Sequence, residues 1–158
     1  MTDLQFALKL AHILGAAVLF GTGLGIAFFM LMAHRTRRPE IIAHTARIVV
    51  LADVVFTATA IIAQPLTVAA LVDLVGYAWQ ESWVIVSLAL YVFTGVCWLP
   101  VVWIQVRLRR MAEEAASLNA VLPPEYHRLY RIWFVLGWPA FLSVIAIFAL
   151  MVWKPQFW

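Results

Sequence analysis

Apolar residues run almost unbroken through four stretches of this chain, Leu4–Met32, Thr45–Val72, Trp83–Val106 and Leu129–Trp153, and polar residues gather in the three connectors between them. Each stretch meets or exceeds the roughly 20 helical residues needed to cross a hydrocarbon core about 30 Å thick. No series of roughly ten-residue segments of alternating polarity occurs, so a transmembrane β-barrel is not expected. The pattern predicts an all-α membrane protein, a single domain over residues 1–158 built as a four-transmembrane-helix bundle. Composition narrows the alternatives further. The 158 residues are 65% hydrophobic and only 12% charged, more apolar surface than a soluble domain of this size can hide from water.

Punctuation supports the same division. Arg38-Pro39-Glu40 breaks the chain after the first stretch, and Leu122-Pro123-Pro124-Glu125 separates the third from the fourth. Proline and glutamate suit the first turn of a new helix. From Arg107 to Asn119 the polar, alanine-rich sequence continues the third helix beyond the membrane, with Arg109–Glu113 and Arg110–Glu114 at supporting i,i+4 spacing. Asp3 stands where a cleaved signal peptide would carry basic residues, and the apolar run is about twice a signal core, so the first stretch reads as a membrane span. Trp79, Trp83, Trp153, Trp158 and Tyr77 are expected to form an interfacial belt at one face.

Charge sets the orientation. Arg35, Arg37, Arg38 and Arg47 surround the first connector, and Arg107, Arg109, Arg110, Arg128 and Arg131 surround the third, whereas Lys9 and Lys154 lie toward the other face. The positive-inside rule then puts both basic connectors in the cytoplasm and both termini on the periplasmic side of a bacterial inner (cytoplasmic) membrane. The net charge of +3 is a topology signal toward the lipid bilayer and gives no reason to invoke nucleic acid.

Chemistry at membrane depth must come from the few polar groups there, each costly to bury. His12 and Lys9 share one face of the first span, with Gly15 one turn on. Neutral imidazole is a haem ligand, glycine leaves room for a flat macrocycle, and a lysine nearer the interface suits a propionate. The plainer alternative is that Gly15, Gly21, Gly23 and Gly25 serve close helix packing and His12 hydrogen-bonds a neighbour. The second span carries a polar stripe, Asp53, Thr57, Ala60, Gln64 and Thr67, whose spacing faces the bundle. Pro65 in it lacks an N–H and frees the carbonyl near residue 61 for a contact inside the bundle. Asp53 is expected to form a structural ion pair with Arg131, or with Arg47, in preference to handling protons. Gln64, and Ser87 or Tyr91 of the third span, lie near the depth of His12 as its candidate partners. The lone cysteine, Cys97, reads as a small buried hydrophobe. His34, His44, His127 and Glu125 gather at the arginine-rich end, where a metal site is disfavoured. No second histidine lies at the depth of His12. A haem would thus take a non-His sixth ligand such as Met, share a site across a dimer, or stay five-coordinate.

These residues also carry a resemblance. Lys9-Leu-Ala-His12-Ile-Leu-Gly, Ala52-Asp53 with Phe56-Thr57 and Gln64-Pro65-Leu-Thr67, and Tyr130-Arg131-Ile-Trp133 through Gly137-Trp-Pro139-Ala to Lys154-Pro155 look like the bacterial membrane family called domain of unknown function 2269, over essentially the whole chain. More distantly the chain is similar to the HemJ-type protoporphyrinogen oxidases, four-helix inner-membrane proteins associated with haem b. Lys9 and His12, Arg131, Pro139 and Lys154-Pro155 match that pattern, and the likeness implies His12 as haem ligand. An Asn-Glu pair before the last-span proline in that family has Gly137 and Trp138 or their neighbours in its place here, and the missing acidic group counts against oxidase activity on a tetrapyrrole. The leading expectation is a haem-b protein acting in redox chemistry or haem metabolism, with His12 the iron ligand, Lys9 a propionate or structural partner, and Gln64 and Tyr91 supporting residues. A homodimer or another membrane redox subunit would be its partner. The competing expectations are a cofactor-free membrane subunit or scaffold and, less favoured, a transporter or channel subunit.

Overall fold

A computed structural model describes residues 2–158. Its helices are α1 (Asp3–Thr36), α2 (Pro39–Ala52), α3 (Ala58–Val75), α4 (Ser82–Ser117) and α5 (Pro124–Trp153). A π-helical turn, Asp53–Thr57, joins α2 to α3 in one rod. The four rods are each long and apolar enough to cross a membrane. Side chains such as Ile62, Leu66, Val92 and Val135 are about two-thirds exposed, as an envelope facing acyl chains requires. Both chain ends and the turn after α3 lie at one end of the bundle, the terminal end. The other two connectors form the arginine-rich end.

Local chemistry sets the helix limits. Thr2 caps α1 through a reciprocal pair: its Oγ1 accepts from Gln5 N at 3.4 Å, and its N donates to Gln5 Oε1 at 2.9 Å. Arg37, left-handed at φ 55°, ends the helix. The second rod starts at Pro39, well before the expected boundary at Thr45, because Pro39 and Glu40 fill a first turn. As expected, α4 runs on past the membrane to Ser117. There Glu113 takes both Arg109 (3.9 Å) and Arg47 (3.2 Å).

The two halves of the bundle differ. At the arginine-rich end Met30, Ile42, Leu108, Tyr126 and Trp133 belong to one buried core from α1, α2, α4 and α5. Toward the terminal end α1 pairs with α3 and α4 with α5, and among its described residues α3 buries only Ala60 and Val72. The gap between these pairs is a cavity of about 480 Å³.

Polar contacts close that end. Ser82 Oγ donates to Pro155 O (3.0 Å) and accepts from Phe157 N (2.9 Å), and Gln5 Nε2 donates to Leu74 O (2.6 Å). Lys154 Nζ donates to Tyr77 OH and lies 4.5 Å and 5.5 Å from the ring centres of Tyr77 and Trp83. Trp83 therefore leaves the expected interfacial belt. It is 5% exposed beneath Lys154, whereas Trp79, Trp153 and Trp158 remain on the surface.

Candidate functional site

His12 lines the 480 Å³ cavity together with residues from all three other rods, among them Gln64, Ser87, Tyr91 and Met151. Its imidazole is oriented by Thr67, whose Oγ1 lies 2.8 Å from His12 Nδ1. The Thr67 hydroxyl also lies 2.9 Å from Ala63 O and 3.0 Å from Gln64 O. A hydroxyl has one proton, and backbone carbonyls only accept. With that proton directed to its own helix, Thr67 accepts from His12 Nδ1–H. In that tautomer His12 Nε2 carries the lone pair and His12 lines the cavity, the arrangement in which a second partner prepares an imidazole for a metal.

The stripe on the second rod is what brings these groups together. Gln64 Nε2 donates to His12 O at 3.0 Å, so Gln64 meets the backbone of His12 and Thr67 meets its ring. Gly15 faces Gln64, and a Cβ there would overlap Gln64 Nε2. Its smallness therefore serves this contact, while Ala16 and Ala17 are the small residues on the cavity wall. Pro65 leaves Ile61 O without its helical donor, and Tyr91 OH donates to it at 2.5 Å. Ser87 Oγ is buried on the cavity lining with no hydrogen-bond partner among the described residues. Lys9 is exposed on α1, one turn nearer the terminal end than His12.

A second cavity, about 370 Å³, lies nearer the arginine-rich end. Asp53, Thr57, Trp98, Gln105 and Trp133 are among its polar residues, within walls of Phe and Leu side chains and two glycines. Asp53 is 4% exposed and forms no ion pair among the described residues. The expected partner Arg131 is exposed. Tyr130 and Trp133 take the inward face of α5, and position 131 sits about 100° away around a helix of 3.6 residues per turn. Arg47, the other expected partner, is held by Glu113.

The π turn leaves the Thr57 hydroxyl unbonded to its own helix and beside Asp53. Thr59, Thr67, Thr94 and Ser143 each return their hydroxyl to the carbonyl one turn back, as hydroxyls in membrane helices commonly do. The matching carbonyl for Thr57 is Asp53 O, which here accepts from Ala58 N across the wider π turn.

At the arginine-rich end His34 stacks on Tyr130 at 3.7 Å between ring centres and lies 5.8 Å from His127. Burial, then the nearby His127 and Arg37, push the His34 pKa below the usual imidazole value. Burial likewise raises Tyr126 far above the ordinary phenol range. Among the described residues no three His, Cys, Asp or Glu side chains converge as a metal site. Cys97 is buried and free.

No curated protein and no solved structure matches this chain. A family model described as a predicted integral membrane protein (DUF2269) matches residues 6–155. That match takes in all four membrane-crossing rods and both cavities, and the chain belongs to the DUF2269 family of integral membrane proteins.

Proposed function

We propose that the cavity at the terminal end would hold a b-type haem, with His12 Nε2 as the iron ligand. The contact between His12 Nδ1 and Thr67 Oγ1 supports this reading, because an imidazole that donates from Nδ1 keeps its Nε2 lone pair for a metal. The volume, about 480 Å³, falls within the roughly 300–1,000 Å³ of small-molecule sites. The lining is apolar apart from a few polar groups, the composition such sites favour. The residues present therefore fit the group.

His12 binds and Thr67 orients it. Gln64 fixes the α1 backbone beneath, and Tyr91 ties α4 to the broken turn of α3. Met151 contributes a thioether to the same lining and would help hold the group. Lys9, one turn outward, suits a propionate at the interface. Haem, when bound, supplies a one-electron redox couple within the bilayer. Supported by the arginine distribution, the orientation has the terminal end periplasmic in a bacterial inner membrane, with redox chemistry or haem metabolism as the role.

His12→Ala tests the assignment. The variant should extract and elute as the wild type does yet carry no haem. Equal haem content in the two would remove His12 as ligand and return the scaffold reading to the front.

A further inference from the structure

We propose that Asp53 is a proton-exchange site, supplied from the arginine-rich end through a hydrated lane formed by Tyr126, Tyr130, Trp133 and Gln105. The inference is independent of haem.

Four observations carry it. First, Asp53 is buried beside the 370 Å³ cavity with no counter-charge among the described residues, and the side chains of Thr57, Trp98 and Gln105 surround its carboxyl. Second, among the described residues Thr57 Oγ1, Trp98 Nε1, Gln105 Oε1 and Trp133 Nε1 are buried and make no hydrogen bond of ordinary geometry, and all belong to residues lining that cavity. Buried polar atoms are rarely left unsatisfied singly. Their cluster around one buried carboxyl would be completed by water entering beside it.

Third, the unsatisfied atoms continue outward. Tyr126 OH, Tyr130 OH and His34 Nδ1 are buried and unpartnered. Tyr126, Tyr130 and Trp133 recur at four and three residues along one face of α5, so they climb turn by turn from the arginine-rich end to the cavity. The Tyr130 ring is 5.7 Å from Trp133 and 3.7 Å from His34, which is 5.8 Å from the exposed His127. Fourth, the π turn withdraws the carbonyl that Thr57 would otherwise engage, and such turns gather at functional sites.

The groups divide the work by chemistry. The Tyr126 and Tyr130 hydroxyls and the His34 ring both donate and accept, so they pass a proton. Trp98 and Trp133 only donate, so with the Gln105 amide they orient water. On uptake, an Asp53 carboxylate oxygen gains a proton from adjacent water. Each partner is replenished by the next, and the last proton enters from bulk at His34. Only O–H and N–H bonds change, and no electron moves. Among the described residues no other titratable side chain lines the Asp53 cavity. The ionisable side chains along the lane are Tyr126, Tyr130, His34 and His127, with Arg37 beside His34.

Infrared difference spectroscopy of the full chain in bilayers tests this, using carboxyl-labelled aspartate. The aspartates are Asp3, Asp53 and Asp73, and the first and last are exposed, so a protonated aspartyl carbonyl band in an apolar setting reports Asp53. The proposal expects a band that moves with the label, titrates with pH, shifts promptly in D₂O and is lost in Asp53→Asn. In the double variant Tyr130→Phe with Gln105→Leu, its exchange should slow roughly tenfold or more, the scale of one lost hydrogen-bond partner. A band absent at every pH, one that ignores D₂O, or one exchanging equally fast in the double variant overturns the proposal. The labelled wild-type chain decides the first two outcomes even where a variant fails to fold.

Discussion

Thr67→Val keeps the shape of the side chain and removes the hydroxyl that His12 Nδ1 meets at 2.8 Å. The backbone of α3 loses little, because Ala63 O and Gln64 O keep their helical N–H partners. The loss falls on His12, whose Nδ1–H is left in a partly buried, apolar place. An unmet donor of that kind costs about 1–3 kcal/mol. Removing an outer partner of a metal-bound histidine typically weakens the site about 10–100-fold. At about 1.4 kcal/mol per tenfold, that range corresponds to about 1.4–2.8 kcal/mol, so the two routes agree. The assay is a haem titration of cofactor-free protein in detergent, followed at the Soret band. Thr67→Val should bind about 10–100-fold more weakly than wild type. Thr67→Ser, which restores the hydroxyl, should recover most of the difference. Wild-type affinity in Thr67→Val, or no recovery in Thr67→Ser, would refute the role given to this contact.

Three further predictions concern stability. Tyr91→Phe strands Ile61 O inside the bundle and should lower unfolding stability by about 0.6–1.7 kcal/mol. Adding Pro65→Ala, which supplies the missing helical N–H, should make the double variant less destabilised than the sum of its singles. Gly15→Ala forces Gln64 away from His12 O and should lower the thermal midpoint. Gly21→Ala, where an added Cβ meets nothing within 4 Å, should not lower it. His34 has a folded-state pKa below its unfolded value of 6.5, so the unfolded chain binds more protons as pH falls. Stability should hold above pH 6.5 and decline as pH drops through and below it, and His34→Gln should flatten that slope in unfolding titrations.

Much of this was legible because membrane-crossing length and charge asymmetry are written directly in composition. The stripe from Asp53 to Thr67 turns inward as its period requires. The contact at Ile61 O followed from one missing N–H at Pro65. What escaped was direction at finer grain. Periodicity placed Gln64 and Thr67 on the right face, yet which of them reaches the imidazole depends on the packing of α1 against α3. Arg131 has the right charge and depth for Asp53, but Tyr130 and Trp133 occupy the inward face and turn it outward. No glycine or proline marks the π turn at Asp53–Thr57. Only the β-branched Val54, Val55 and Thr57 weaken the helix there, too slight a signal to predict a freed hydroxyl. Likewise, the looseness between the α1–α3 and α4–α5 pairs is a property of packing between rods, which no single span encodes.

The central claim rests on His12 as a metal-ready ligand facing a cofactor-sized cavity. Its most direct test is the visible absorption spectrum of the detergent-purified wild-type protein, oxidised and dithionite-reduced. The account predicts a Soret band with reduced b-type bands at near one haem per chain. Folded protein, expressed with haem available and colourless in both states, would contradict it.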